Sequence, residues 1–350
     1  MLTLTNAADL TKKLFIIGVF VIILIGFVYV IITSVKKSIN SLKPPPPPVL
    51  TTTFDKLPGI VFPNQNFPTD IRFTLETLSG NIPSASTTAK IYFLPKKQKS
   101  LLTNVRANQD AKNLGIESSA TVVNKQLVYT ANSKEFTIDP ISRNFTYSYN
   151  YNNEPTVFSG KTLLTKGSAT SVANNFLKTL DALPADFNQN PNVTFLTYNG
   201  AQFIPIGENE DPAVATAARV DYFRNKVDSL PVVNSEFDKG NISVIVSKSD
   251  DKNKQVIRAI KSYQEISNEN IGIYPVKSGD LAWQDFINGI GYIADSGNST
   301  FTKRVVIRDA YLAYFDDGVN ISYLMPVYVF IGDDGFIAYV SAVSDQWISP

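Results

Sequence analysis

The spacing of apolar positions changes along this chain, and each spacing predicts a different kind of element. Residues 14–35, LFIIGVFVIILIGFVYVIITSV, run 22 positions without a charge. At about 1.5 Å per residue that is enough to cross a hydrocarbon core of about 30 Å, so the run predicts a transmembrane helix in contact with the lipid bilayer. Its end, ITSVKKS, is bulky and charged, which argues for a retained signal-anchor rather than a cleaved peptide. Lys12 and Lys13 precede the run and Lys36, Lys37 and Lys43 follow it. A short tail ahead of a long domain favours a cytoplasmic segment at 1–13 and an extracytoplasmic carboxy-terminal part, that is, a single-pass protein of the cell membrane. A Pro-rich linker at 36–57 comes next, and its five prolines at 44–48 favour an extended polyproline II spacer of roughly 15 Å.

Beyond residue 57 the pattern alternates between helical spacing and runs of strand-forming residues. Helices are expected at 101–114, with Ser100 as N-cap and Gly115 as the stop, at 169–183 before Pro184, and from the N-cap Ser278 with Asp280 near the positive end of the dipole. Strands rich in Val, Tyr, Phe and Thr follow each of them. Short consecutive strands with brief turns predict antiparallel meanders, giving an α+β fold of tandem helix-on-antiparallel-sheet domains at 58–165 and 166–350. Too few helices separate the strands for a doubly wound parallel sheet.

Two Asp-Asp-Gly triplets punctuate the last strands, at Asp316, Asp317, Gly318 and at Asp333, Asp334, Gly335. Paired carboxylates can share a proton, yet an apolar strand enters and another leaves each triplet, which predicts hairpin turns with side chains in water. The intervening strand then places Met325, Val327 and Val329 on one face and Leu324, Tyr328 and Phe330 on the other. Both faces are apolar, so both need a cover, one of them the helix near Trp283.

Composition narrows the chemistry. Lys+Arg number 32 against 31 Asp+Glu, so no basic field attracts nucleic acid. The chain has neither Cys nor His, which excludes disulfides, thiolate sites, imidazole bases and imidazole metal ligands. Asp295-Ser296-Gly297 resembles an aspartic protease loop and makes an aspartate-dependent envelope hydrolase the enzymatic alternative, although no second Asp-Ser/Thr-Gly occurs. Acidic stretches at 207–212 and 248–254 lack EF-hand spacing and read as solvated loops, so no metal, cofactor or catalytic residue is assigned. The aromatic tract at 146–151 offers Tyr147, Tyr149 and Tyr151 as a contact surface on a meander edge.

The closing stretch LMPVYVFIGDDGFIAYVSAV resembles the final strands of membrane-anchored regulatory proteins of the YycH/YycI type and of related PepSY-like domains, through Leu324, Pro326, Val327, Tyr328, Phe330, Tyr339, Val340 and Ala342. NQDAKNLGI, LVYT and FTIDPISRNFTYSY resemble a PepSY-like unit with an aspartate turn near Asp139, without the usual Asp-x-x-Thr-Gly. The chain also resembles uncharacterised single-span bacterial surface proteins. The resemblance implies a helix-on-sheet fold and a non-catalytic role in binding or regulating another membrane or envelope protein. A structural part in an envelope or secretion assembly is the alternative.

Overall fold

The computed structural model describes residues 12, 18, 21, 24–34, 49–63, 71–78, 80, 82, 87–152, 154–161, 163–207, 210–297, 304–319 and 321–349. Two compact units divide the chain at Met1–Pro48 and Val49–Pro350.

The transmembrane helix expected at 14–35 is not found. Among the described residues no helix is long and apolar enough to cross a membrane. Residues 24–34 are helical, but such a stretch rises only about 16 Å against a core of about 30 Å. The other residues of 14–35, apart from 18 and 21, lie outside the described residues, as do the five prolines at 44–48. The single-pass signal-anchor is therefore set aside. The supposed linker has joined the fold well before residue 57: the amides of Thr51 and Thr52 donate to the Ile273 carbonyl, and Leu57 is fully buried.

The second unit is built mostly of β-structure, in two large sheets. The first strands are β1 (Arg72–Leu75), β2 (Thr88–Phe93), β3 (Thr121–Val123), β4 (Gln126–Ala131), β5 (Lys134–Ile138) and β6 (Phe145–Tyr149). Then come β7 (Asn192–Tyr198), β8 (Phe203–Pro205), β9 (Ala217–Tyr222), β10 (Val232–Val233), β11 (Ile242–Ser247) and β12 (Val256–Lys261). The last are β13 (Ile271–Pro275), β14 (Tyr292–Asp295), β15 (Arg304–Phe315), β16 (Tyr323–Gly332) and β17 (Ile337–Ser341). Among the described residues of this unit, three α-helices accompany them: α1 (Thr103–Asn113), α2 (Lys166–Thr179) and α3 (Gly279–Ile287).

A nine-stranded sheet runs β3-β4-β5-β6-β12-β11-β9-β7-β8, antiparallel throughout. It takes strands from both sides of residue 165, because β6 pairs with β12 through contacts such as Phe145 with Lys261. That pairing removes two exposed edges at once. The register makes the two faces unlike. Tyr129, Phe136, Tyr147 and Ala259 lie side by side and are buried under α1 and α2. One residue along, Thr130, Glu135, Ser148 and Arg258 form an exposed polar row. Ala107 and Ala111 of α1 and Ala169, Ala173 and Leu177 of α2 meet the buried face.

The eight-stranded sheet runs β1-β15-β16-β17-β14, with β10 on β15, β2 on β16 and β13 on β2. Both β1 and β10 are parallel to β15. Tandem antiparallel helix-on-sheet domains are thus replaced by one broad antiparallel sheet and one mixed sheet. The alternation that signals a strand carries no information about which distant strand completes its hydrogen bonds.

Both faces of β16 are buried, as its sequence requires. Tyr328 and Phe330 pack with Ala282, Trp283 and Phe286 of α3, while Val327 and Val329 face the other way. That second face is covered by Ile60, Phe62 and Phe237. The Phe62 ring lies 5.1 Å from Phe315 and stacks 5.5 Å from Tyr292.

Candidate interaction site

Of the three tyrosines expected at a meander edge, two point inward. Tyr147 and Tyr149 are 3% and 6% exposed, within the core under the helices. They present no surface to a partner. Tyr151 lies just beyond β6 and is half-buried. It belongs to a cluster of four rings whose other members come from three further places in the chain.

The hairpin β7–β8 supplies two rings. Asn199 accepts the amides of Ala201 and Gln202 at 3.0 and 2.9 Å, and Gly200 takes a φ of 95°. This tight turn sets Tyr198 opposite Phe203 with ring centroids 5.1 Å apart. Phe158 ends a single 3-10 turn, Pro155–Phe158, anchored by the fully buried Val157. Ahead of that turn, Glu154 accepts the Tyr149 hydroxyl at 2.9 Å and the Lys254 ammonium at 2.6 Å.

Phe158 stacks on Tyr198 at 4.6 Å and 28°. Tyr151 meets Phe158 and Tyr198 edge-on at 5.1 and 5.3 Å, and Phe203 at 6.1 Å. Every pair of the four rings is in contact, since Phe158 also reaches Phe203 at 5.9 Å. All four remain half-buried. The Tyr198 hydroxyl donates to the Gly200 carbonyl. Burial pushes the Tyr151 hydroxyl above its ordinary pKa; Tyr198 adds to this and Arg258 opposes it. Tyr151, Phe158 and Phe203 pack against the core of the nine-stranded sheet, and the cluster leaves part of each ring accessible, with polar tips and a cation at its margin, residue types favoured at the centre of protein interfaces.

The two Asp-Asp-Gly triplets part company. Asp333–Gly335 is a turn, with Asp334 and Gly335 at φ of 58° and 82°, and Arg308 donates to both Asp333 oxygens at 2.9 and 2.8 Å in the open. Asp316 corrects the expectation of a solvated side chain: it is 1% exposed and accepts Arg224 Nε at 2.8 Å. Arg224 also donates to Asp186 and to the Gln264 carbonyl, and its guanidinium lies 5.3 and 4.9 Å from the Phe187 and Tyr263 rings. Burial raises the Asp316 pKa, while Arg224 and the Gly318 amide draw it back. Asp317 accepts the Ser235 hydroxyl at 2.6 Å, and the Asp316 carbonyl accepts Asn241 at 2.9 Å. This triplet is a buried joint to the region that carries the nine-stranded sheet.

Asp295 is exposed, and its carboxylate accepts the Gly297 amide at 2.7 Å. No hydrogen bond or ion pair joins it to a second carboxylate among the described residues. In the acidic loops, Asp211 and Asp251 accept the amides two residues ahead, and Asp250 accepts the Lys161 amide; Glu208 and Asn209 lie outside the described residues. No group of three acidic side chains that could hold a metal ion occurs among the described residues. A shallow concavity of about 520 Å³ against the first turns of α2 is lined by Lys166, Thr170, Ser171 and Asn174, among others.

No family model and no curated protein matches this chain. Among solved structures, a crystal structure of an uncharacterized protein from Eubacterium rectale ATCC 33656 is similar over 78% of this chain and 89% of that one, at 9% identity and a TM-score of 0.38. A likeness of that size carries no functional argument.

Proposed function

We propose that this chain is a non-catalytic binding or regulatory protein whose partner is another protein, of the cell envelope, and that the cluster of Tyr151, Phe158, Tyr198 and Phe203 is its contact. The observation that carries the reading is the mutual packing of four partly buried rings held by two short, well-anchored turns. Rings fixed in this way lose little conformational entropy on association. The likeness of the closing strands to regulatory proteins of the YycH/YycI type supports the same reading.

The test is affinity capture with the wild-type chain and with Tyr151→Ala/Tyr198→Ala, after thermal melting shows the variant folded. A protein retained by the first and lost from the second supports the proposal. Equal capture by both, or turnover that depends on Asp295, rules it out.

A further inference from the structure

Between Glu76 and Asp110 the chain carries Lys90, Lys96, Lys97, Lys99 and Arg106 and no carboxylate. Lys90 is paired with Asp228 at 2.9 Å. The other four are exposed, three of them in the connection from β2 to α1 and Arg106 early in α1. None of these four enters an ion pair among the described residues. Asp110, the next carboxylate along the chain, is buried and already engaged by Arg143 at 3.0 Å.

The same stretch holds apolar side chains in the open. Leu101 is 100% exposed, Leu102 54% and Val105 59%. A locked turn keeps the two leucines there: the Ser100 amide donates to Thr103 Oγ1 at 2.8 Å, the Thr103 amide donates to the Ser100 carbonyl at 3.2 Å, and Thr103 itself is buried. Val105 follows one turn on, on the outward side of α1, whose inward side carries Thr103, Ala107 and Ala111. Single exposed apolar residues are ordinary. Three within five positions, held outward beside four unpaired cations, mark a contact surface.

We propose that residues 96–106 make a peripheral contact with an anionic lipid surface, in which Lys96, Lys97, Lys99 and Arg106 meet headgroup phosphates while Leu101, Leu102 and Val105 enter the boundary between headgroups and acyl chains. Charge complementarity selects this occupant, since cations beside a short apolar patch match a layer that is negative outside and hydrocarbon beneath. The apolar side chains project outward, as entry into a soft layer requires. The first turn of α1 holds no acidic residue to oppose the positive end of its dipole. The contact asks no segment to cross a bilayer, and it shares no residue with the four-ring cluster.

The full chain has no Cys, so Leu101→Cys supplies a single thiol for an environment-sensitive fluorophore. Ser148→Cys, on the exposed polar row of the nine-stranded sheet, supplies the control. Each labelled protein is mixed with vesicles of phosphatidylcholine alone and of phosphatidylcholine with phosphatidylglycerol. The expected result is a blue shift of the probe at position 101 with the anionic vesicles only, reversed by high salt, and no shift at position 148. Each neutralised cation should weaken the apparent affinity about fivefold, so Lys96→Gln/Lys97→Gln/Lys99→Gln should weaken it about a hundredfold. A probe at 101 that does not shift overturns the proposal in favour of a protein partner for the patch. The proposal also fails if that probe shifts equally with both vesicles, moves together with the probe at 148, or responds in the triple variant as it does without those substitutions.

Discussion

Replacing Arg224 by Leu keeps much of the apolar stem between Phe187 and Tyr263 but leaves Asp316 without its counter-ion. The three polar partners of Arg224 are unequal. Asp186 has a 40% exposed side chain, so losing that pair costs about 0–1 kcal/mol. Asp316, 1% exposed, cannot recover solvation, and breaking a buried pair from one side costs about 3–5 kcal/mol. The loss should therefore be about 4 kcal/mol at pH 7.5, read as a shift of the urea midpoint with an unchanged slope. Asp316→Asn on top of Arg224→Leu removes the stranded charge and should restore about 2 kcal/mol. Sign and pH follow from the same charge. Without Arg224 the folded carboxyl has a raised pKa, so the contribution of its proton is present at acid pH and lost as pH rises through that pKa. The Arg224→Leu deficit should shrink at pH 5. Additive single substitutions with a deficit independent of pH would refute the assignment of Asp316 as a buried ion.

The glycines of the two triplets separate in the same way. Gly335 at φ 82° has its nearest outside atom at 4.0 Å, so Gly335→Ala should cost about 1 kcal/mol of strain in the same urea assay. A Cβ on Gly318 would meet the Ser262 hydroxyl at 2.4 Å and its carbonyl oxygen at 2.5 Å, so Gly318→Ala should cost about 2–4 kcal/mol. For Lys261 the folded pKa is lowered from 10.5 to about 8, so between those values the unfolded chain binds more protons. Stability of the wild type relative to Lys261→Met should then rise with pH across about 8 to 10.5, by about 2–3 kcal/mol in paired unfolding curves. A flat difference would mean that Lys261 is not desolvated.

Much of the local structure was legible in the residues. Ser278 accepts the Leu281 amide as the N-cap of α3, Gly115 closes the turn after α1 at φ 73°, and β16 divides its faces as alternation demands. Ser100 does not cap α1, because Leu102 precedes its first turn and the Thr103 hydroxyl accepts the Ser100 amide. What sequence reasoning missed depends on partners far along the chain. Asp316 sits in a motif that usually faces water, and only Arg224, 92 residues away, turns it inward. The four-ring cluster draws Tyr151 and Phe158 to Tyr198 and Phe203 across the sheet. One available signal was the spacing of Tyr147 and Tyr149, since alternate residues of a strand share a face and here that face also carries Phe145. Three aromatics in register mark a core more often than an edge. Nothing local distinguishes Tyr151, which differs by lying past the end of the strand.

The most direct test of the binding surface is site-specific photo-crosslinking in the native cell, with the photoreactive side chain placed at Tyr198 in one chain and at Thr146, on the exposed polar face of β6, in another. The account predicts a discrete adduct with one other protein from position 198 and none from position 146. Adducts that are the same from both positions, or none from position 198 while the chain is folded and abundant, would contradict it.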